Sequence, residues 1–216
     1  TEIYISLIKK YLKHSNQILF LVPEIALTTQ LVNRLSKFFS KKLIVYHSGL
    51  NINQRAELWK DLVSTNKTKI IIGARSSIFL PFTNLKLVIV DEEHEVSYKQ
   101  FDPSPRYNAR DASIILSNIH GANILFGTAT PSLESYLNAK ITDKFAYVEL
   151  NQRYKNIPMP EIQLVDMLEK KNNLKKYGLF SDILLQKIKL VKKQGKQTIL
   201  FQNRRGYSPV LECNTC

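Results

Sequence analysis

The chain has 216 residues, with 31 lysines and arginines against 18 aspartates and glutamates, a net charge of +13 and a pI near 9.7. Its length suffices for one α/β domain and part of a second, and its charge favours a polyanionic partner over an acidic small molecule, although a lysine-rich genome would give the same excess. Both cysteines stand at the end of the chain, which excludes a disulfide framework, and no apolar run is long enough to span a membrane. We therefore expect a cytoplasmic protein without a membrane partner. The start at Thr1, without an initiator methionine or a signal sequence, indicates a piece of something larger.

In chain order, the apolar residues predict helices that alternate with strands. Helical spacing predicts helices over residues 3–12, 25–39, 53–63, 109–119 and 133–139. Short apolar runs predict buried strands at residues 18–22, 43–46, 69–72, 87–90 and 123–126. In the helix over 53–63, we expect Ala56, Trp59 and Val63 to face the core. The alternation implies right-handed crossovers and a parallel sheet, which is an α/β fold.

The pattern changes near residue 150. Residues 151–160 contain two prolines and no periodicity, which predicts a linker. Beyond it, Ser181 is expected to cap a helix over 182–193 that Gly195 closes. Further short strands are predicted at 162–165, 198–201 and 207–212. We therefore expect a first domain over residues 1–150, a linker over 151–160 and the beginning of a second domain over 161–216.

The most informative strand is 87–90, four branched aliphatics that run directly into Asp91, Glu92, Glu93 and His94. Such a run is typical of a strand buried on both faces, and an open parallel sheet binds ligands where its strands end. Asp91 is placed to hold Mg²⁺ through water, as the acidic residue of P-loop ATPases does, and Glu92 to polarise an attacking water. The alternative is a solvated helix start, because acidic residues favour a helix N-terminus.

An irregular stretch follows the acidic residues and combines aromatic rings with cations. Its members are Tyr98, Lys99, Phe101, Arg106, Tyr107 and Arg110. Stacking faces beside positive charges are what single-strand binders use. Ordinary packing of Phe101 or Tyr107 beneath a surface loop is the alternative. A dozen irregular residues directly after catalytic acids favour the nucleic-acid role.

Six short motifs occur at the predicted strand ends, at residues 22–30, 47–50, 73–79, 91–94, 127–132 and 201–207. Their order resembles that of superfamily 2 helicases. With residues 98–100, 105–111 and the final cysteine pair, the chain is most similar to the bacterial replication-restart helicases of that superfamily. The resemblance implies a RecA-like parallel sheet flanked by helices as the first helicase lobe, followed by the start of a second RecA-like lobe.

The resemblance also implies a function. It implies an ATP-dependent 3′ to 5′ DNA helicase or translocase, which acts in replication restart and primosome assembly and uses ATP and Mg²⁺. Single-stranded and forked DNA, primosome proteins and single-strand-binding proteins are the implied partners. Two alternatives are a different superfamily 2 translocase, such as a fork-reversal or RNA enzyme, and a catalytically inactive lobe that serves as a DNA- or protein-binding scaffold. A glycine-rich loop ending in lysine before Thr1 would argue against the scaffold.

Several nucleotide-site roles follow from the same resemblance. Thr1 would be the Mg²⁺-binding hydroxyl at the tail of the phosphate-binding loop, and its alternative is a helix cap. The glycines and the lysine of that loop do not precede Thr1, so we expect this chain alone to bind ATP poorly or not at all and to be inactive. His94, Thr128 and Thr130 would pass the nucleotide state to the other lobe. For His94 the alternative is a satisfied polar residue at a sheet edge.

The resemblance assigns further residues to DNA and to a metal. The implied contacts with the DNA backbone are Pro23, Glu24, Thr28, Gly73, Arg75, Arg204 and Arg205, and contacts of this type are blind to sequence. Capping and turn geometry, or a solvated basic turn at 204–205, are the alternatives. Cys213 and Cys216 would supply two of the four thiolates of a structural Zn²⁺ in the full-length protein, with a redox pair or two idle thiols as alternatives.

Overall fold

The computed structural model describes residues 1–12, 15–23, 29–64, 67–166 and 180–201. The chain divides into two compact units, Thr1–Glu149 and Leu150–Cys216. Among the described residues, every helix is too short or too polar to cross a membrane.

The first unit is built on a five-stranded sheet in which every strand pair is parallel, with the order β2-β3-β1-β4-β5. Its strands are β1 (Gln17–Leu21), β2 (Leu43–Tyr46), β3 (Lys69–Gly73), β4 (Leu85–Asp91) and β5 (Asn123–Gly127). Its helices are α1 (Glu2–Tyr11), α2 (Thr29–Phe39), α3 (Ile52–Ser64), α4 (Ala109–His120) and α5 (Leu133–Lys140). This arrangement confirms the predicted RecA-like parallel sheet flanked by helices.

The central strands are apolar over most of their length because the sheet is covered on both faces. One face packs against α1 and α2, through residues such as Ile8 and Leu35. The other face packs against α3 and α4, through residues such as Leu58 and Leu62. Successive side chains of a strand point to opposite faces, so the middle of each strand needs apolar residues on both faces and its sequence does not alternate.

The predicted core face of α3 is wrong by one position. Leu58 and Leu62 are buried, whereas Trp59 is 51% exposed and Val63 is 55% exposed, and Ala56 is exposed as well. Two leucines four residues apart lie one above the other on a helix, and their pairing decides which face is buried. The sequence allowed both stripes, and only packing against the sheet distinguishes them.

The corrected orientation of α3 leads to a stability prediction. Leu62→Ala should lower the free energy of unfolding by about 3 kcal/mol, because it removes a fully buried side chain and leaves a cavity. Val63→Ala, at the exposed neighbouring position, should change it by less than about 0.5 kcal/mol. Urea unfolding followed by the fluorescence of Trp59, the single tryptophan, measures both. Equal losses at the two positions would contradict this orientation.

The second unit contains helix α6 (Asp182–Lys193) as predicted. Ser181 caps it by accepting a hydrogen bond from the Leu184 amide at 3.2 Å, and Gly195 beyond its end has a φ of 67°. The strands predicted at 162–165 and 198–201 are wrong, because both segments are without regular secondary structure. A strand needs a hydrogen-bonded neighbour, and neither segment has one within the described part of this unit. The strand predicted at 207–212 lies outside the described residues.

Candidate active site

The carboxyl ends of β1, β3, β4 and β5 meet at one edge of the sheet. Leu21 is the register partner of both Gly73 and Val90, and Asp91 is the partner of Gly127. The polar segments that follow these strands therefore begin side by side. This is the edge at which an open parallel sheet binds its ligands.

Asp91 is the last residue of β4, and two tyrosines hold it. The Tyr4 hydroxyl donates to Asp91 Oδ1 at 2.7 Å, and the Tyr98 hydroxyl donates to the Asp91 main-chain carbonyl at 2.6 Å. Tyr4 lies in the first turn of α1, so this contact brings that turn to the carboxyl edge of β4. Thr1 stands at the N-cap position of α1 without a side-chain capping bond, and its carbonyl accepts from the Ile5 amide at 3.0 Å. The start of α1 and the acidic segment thus lie at the same edge.

Glu92 has an unusual backbone conformation. Its φ is 48°, in the left-handed region that a non-glycine residue seldom occupies. Its carbonyl accepts from the Glu95 amide at 2.8 Å, which closes the turn that holds it there. Such conformations cost roughly 1–3 kcal/mol and concentrate at functional sites. The strained residue is the one expected to orient the attacking water.

His94 joins the acidic segment to the segment after β5. Its Nδ1 lies 2.7 Å from Thr128 Oγ1, while Thr130 Oγ1 lies 3.5 Å from both ring nitrogens. Thr128 Oγ1 also accepts from the Thr130 amide at 3.1 Å. The structure therefore brings together the histidine and both threonines that the sequence analysis grouped. Glu92 Oε2 is 3.7 Å from the same imidazole nitrogen, which places a carboxylate beside it.

Glu93, which the sequence analysis treated only as one of several acids, is the most buried charge of the site at 2% exposure. Its carboxylate accepts from the Ser132 amide at 2.6 Å, the Ser132 hydroxyl at 2.9 Å and the Ser135 hydroxyl at 2.8 Å. Arg110 Nη1 lies 3.4 Å away and also donates to Ser132 Oγ at 2.8 Å. The Glu93 network, meaning Glu93, Arg110, Ser132 and Ser135, ties α4 and the start of α5 to the acidic segment.

The Glu93 network favours the ionised carboxylate. Burial raises the pKa of Glu93, but hydrogen bonds from the Ser132 amide and the Ser135 and Ser132 hydroxyls, together with the Arg110 cation, lower it further than burial raises it. The net pKa lies below its ordinary value. A serine five residues after the end of a strand is a weak signal, and the spacing of Glu93, Arg110 and Ser132 along the chain gives no indication that they meet.

Two residues predicted to contact DNA are instead committed to the protein. The ring of Tyr98 is 1% exposed and packs in the core, so it presents no face for stacking. The Arg110 side chain is mostly buried and is bound to Asp111, at 2.8 Å, as well as to Glu93. The composition of the stretch after the acidic residues showed that it contains aromatic rings and cations. It did not show that Tyr98 and Arg110 point inward.

Arg75 holds the aromatic loop, which is residues 95–108, in place. Its Nη1 donates to the Lys99 carbonyl at 3.0 Å and lies 3.5 Å from the Ser97 carbonyl. Gln100 closes the loop, because its amide donates to the Tyr107 carbonyl at 2.8 Å and its side chain donates to the Pro103 and Pro105 carbonyls. Arg75 thus acts on the loop backbone, which adds to the DNA contact expected of it.

This contact gives a second prediction. Arg75→Ala should free the loop backbone and speed tryptic cleavage after Lys99 and Arg106 by about fivefold, since a hydrogen bond from a partly exposed charged donor contributes about 1 kcal/mol. Limited proteolysis with mass spectrometry measures the rate at each bond. Arg55→Ala, which removes an arginine from the exposed side of α3, is the control and should leave both rates unchanged. Equal cleavage of the two variants would contradict the role of Arg75.

The outward side chains of the aromatic loop remain available to a ligand. Lys99 and Arg106 are exposed, Phe101 is 57% exposed, and Lys99 Nζ lies 5.1 Å above the Phe101 ring centre. Tyr107 is half-buried and meets Phe79 edge to face at 4.9 Å. Phe79 is an exposed ring that the sequence analysis did not select. Phe79 could have been selected from the sequence, because it is a large apolar residue in the same strand-end motif as Arg75.

The remaining predicted DNA contacts differ in what the structure describes. Pro23 is buried just past β1. Gly73 is where β3 ends, and a Cβ there would stand 2.8 Å from both the Ser77 hydroxyl and the Tyr46 carbonyl, so packing alone requires glycine. Other predicted site residues, namely Glu24, Thr28, Arg204, Arg205, Cys213 and Cys216, lie outside the described residues.

The donor set at the strand edge suits Mg²⁺. Asp91 and Glu92 would supply carboxylate oxygens, and Thr1 would supply a hydroxyl. Mg²⁺ keeps several waters and takes only one or two protein carboxylates beside substrate phosphates. Within the described part of the chain, no group of three His, Cys, Asp or Glu side chains could enclose a metal. The residues therefore fit a hydrated Mg²⁺ and do not form a closed metal site.

A parallel RecA-like sheet with acids, a histidine and its threonine partners at one edge is an arrangement of the helicase class. The family model for DEAD/DEAH box helicases matches residues 1–139, and the chain belongs to that family.

Among curated proteins, the whole chain is 44% identical to the replication restart protein PriA of Rickettsia felis, of which it covers 33%. It is 42% identical to PriA of Haemophilus influenzae, covering 29%, and 40% identical to PriA of Bacillus subtilis, covering 26%. These similarities confirm the predicted resemblance to the replication-restart helicases. The chain spans about a third or less of the length of these relatives.

Proposed function

We propose that this chain is the motor part of an ATP-dependent DNA helicase that moves 3′ to 5′ along single strands and acts in replication restart. The observation that carries the proposal is the contact between His94 Nδ1 and Thr128 Oγ1 at 2.7 Å. This contact links the acidic segment at the end of β4 to the segment that follows β5. A motor needs such a link if ATP hydrolysis is to change the position of another part of the protein. The relatives' name supports replication restart.

In this proposal, the chain's own residues divide the work of γ-phosphate hydrolysis. Asp91 and Thr1 would hold Mg²⁺, and the ion would supply the charge neutralisation that phosphoryl transfer needs. Glu92 orients the attacking water and accepts its proton. Thr128 and Thr130 surround His94, so a shift of the acidic segment after hydrolysis moves the segment that follows β5. The other half of the motor would begin in the second domain, over residues 161–216, after the linker at 151–160.

The DNA contacts in this proposal come from two places. Lys99, Phe101 and Arg106 offer an exposed ring and two exposed cations to single-stranded DNA, and the half-buried Tyr107 lies beside them. Glu24, Thr28, Arg75, Arg204 and Arg205 would lie along the DNA backbone. Pro23 and Gly73 are buried and would only shape the ends of β1 and β3. The tie from Tyr98 to the Asp91 carbonyl supports coupling between the aromatic loop and the catalytic acids. Forked DNA, primosome proteins and single-strand-binding proteins would be partners of the full-length protein, which would act in the cytoplasm. In that protein, Cys213 and Cys216 would supply two of the ligands of a structural Zn²⁺.

ATP hydrolysis by the purified full-length protein, measured with and without single-stranded DNA, tests the proposal. We expect turnover that needs Mg²⁺ and rises at least tenfold with DNA, an effect that weakens as salt increases. Turnover that does not respond to DNA would refute the motor function. DNA binding without any turnover would instead favour a scaffold, and stimulation by RNA alone would favour a different translocase.

A further inference from the structure

Tyr4 has no assigned role in the proposed mechanism, yet it makes the closest side-chain contact with the Asp91 carboxylate among the described residues. Its hydroxyl donates to Asp91 Oδ1 at 2.7 Å, across 87 positions of the sequence. Its ring meets Phe20 edge to face, with ring centres 5.3 Å apart, and Phe20 is fully buried in β1. Packing therefore fixes the ring, and the ring fixes where the hydroxyl can reach.

Gly127 leaves the space that Tyr4 occupies. A Cβ at residue 127 would overlap the Tyr4 hydroxyl oxygen and stand 2.9 Å from Tyr4 Cζ. The backbone of Gly127 does not have a positive φ, so its conformation is open to other residues. Glycine is needed at the end of β5 because the phenol lies against it. Since Gly127 is the register partner of Asp91, the phenol rests across the ends of two neighbouring strands.

The phenol stays a donor at neutral pH. The phenol group of tyrosine ionises only about three pH units above neutrality, so its proton is in place. A neutral hydroxyl beside a carboxylate can only donate to it. One carboxylate oxygen is thereby engaged by the protein, and the rotation of the group about its Cβ–Cγ bond is restricted.

We propose that Tyr4 is a positioning residue for Asp91, which holds the carboxylate in the orientation that binds hydrated Mg²⁺, and that Gly127 exists to admit it. The inference rests on the proposed function, because it takes Asp91 as the Mg²⁺-binding acid. A carboxylate already fixed by the protein loses less conformational freedom when the ion binds, so less Mg²⁺ is needed.

The test is Tyr4→Phe in the full-length protein, with a fluorescent ADP analogue bound at increasing Mg²⁺ concentrations. Phenylalanine keeps the ring between Phe20 and Gly127 and removes only the donor. We expect the Mg²⁺ concentration for half-maximal tightening of ADP to rise at least tenfold, as expected for the loss of one hydrogen bond to a charged group. ADP binding without Mg²⁺ should stay within about twofold, because Tyr4 acts on the ion and not on the nucleotide.

Tyr11→Phe is the matched control, since it removes a hydroxyl from the same helix away from Asp91, and its Mg²⁺ requirement should equal that of the wild type. The same requirement in Tyr4→Phe would overturn the positioning role alone. A wild-type protein whose ADP binding does not respond to Mg²⁺ would overturn both this role and the proposed function. The two failures are therefore told apart by the wild-type titration.

A second arm uses Gly127→Ala and its combination with Tyr4→Phe. The added methyl group must displace the Tyr4 hydroxyl, so Gly127→Ala should raise the Mg²⁺ requirement at least as much as Tyr4→Phe. Adding Tyr4→Phe should then change little, because both substitutions break the same contact. Additive effects would show that the two residues act separately and would overturn the paired role. Thermal unfolding of each variant identifies any loss that comes from misfolding.

Discussion

Asp91→Asn in the full-length protein should lower DNA-stimulated ATP turnover by about 10²–10³-fold, because Mg²⁺ supplies several kcal/mol of transition-state charge stabilisation. Asparagine has the shape of aspartate, and its amide oxygen can still accept from the Tyr4 hydroxyl that now bonds Asp91 Oδ1 at 2.7 Å. The substitution therefore removes the charge and keeps the packing. A steady-state ATPase assay with saturating single-stranded DNA measures the loss.

Glu57→Gln, on the exposed side of α3, is the control for exchanging a carboxylate for an amide, and it should turn over at the wild-type rate. Thermal unfolding of both variants should match the wild type within a degree or two. If Asp91→Asn keeps more than a fifth of wild-type turnover, Asp91 does not hold the catalytic ion and the motor interpretation of this edge is wrong.

Glu93→Ala should lower the free energy of unfolding of the first unit by roughly 3–5 kcal/mol, as breaking one half of a buried ion pair does. Alanine would leave the mostly buried Arg110 without its inner partner. The Ser132 amide and the hydroxyls of Ser132 and Ser135 would also lose their acceptor. Urea unfolding of the 216-residue chain, followed through Trp59 in the same unit, reports this loss.

Glu134→Ala is the matched control, because Glu134 is a well-exposed carboxylate 3.9 Å from Arg110. Exposed pairs of this kind contribute about 0–1 kcal/mol, so this variant should unfold almost as the wild type does. A loss at Glu93 no larger than the loss at Glu134 would show that the Glu93 network does not stabilise the unit.

The same carboxylate makes the unit sensitive to acid. The pKa of Glu93 is lower in the folded state than its ordinary value of 4.5. Its stabilising contribution is therefore complete above that value and is lost as the pH falls through the folded-state pKa. Between pH 6 and pH 3, the wild type should lose more stability than Glu93→Gln, which has no carboxylate to protonate at this position.

The sheet and much of its functional edge could be predicted from the sequence, because both depend on local patterns. Residues 87–90 are apolar without interruption, and that alone indicates a strand covered on both faces. The family resemblance grouped His94 with Thr128 and Thr130, and each follows a strand, so a parallel sheet can bring them together. The strand predicted at 162–165 failed because a strand also depends on a neighbour, which no local pattern reveals.

Contacts that depend on tertiary approach could not be predicted. Tyr4 and Asp91 are 87 positions apart, and Glu93 and Ser135 are 42 positions apart. In neither pair does the local sequence around one residue indicate contact with the other. Leu58 and Trp59 are adjacent in α3, and both are apolar. The sequence therefore did not show which of them faces the sheet. Tyr98 has the composition of a stacking residue, yet its hydroxyl reaches the Asp91 carbonyl only because the ring turns inward.

That inward tyrosine limits how position 98 can diverge among homologues. Phenylalanine would fill the space of the ring but would lose the hydrogen bond to the Asp91 carbonyl. Serine or histidine would offer a polar atom but would leave a cavity. Only a side chain that is both bulky and tipped with a donor meets the two demands together. We expect position 98 to be substituted far less often among homologues than the outward-facing positions of Lys99 and Phe101.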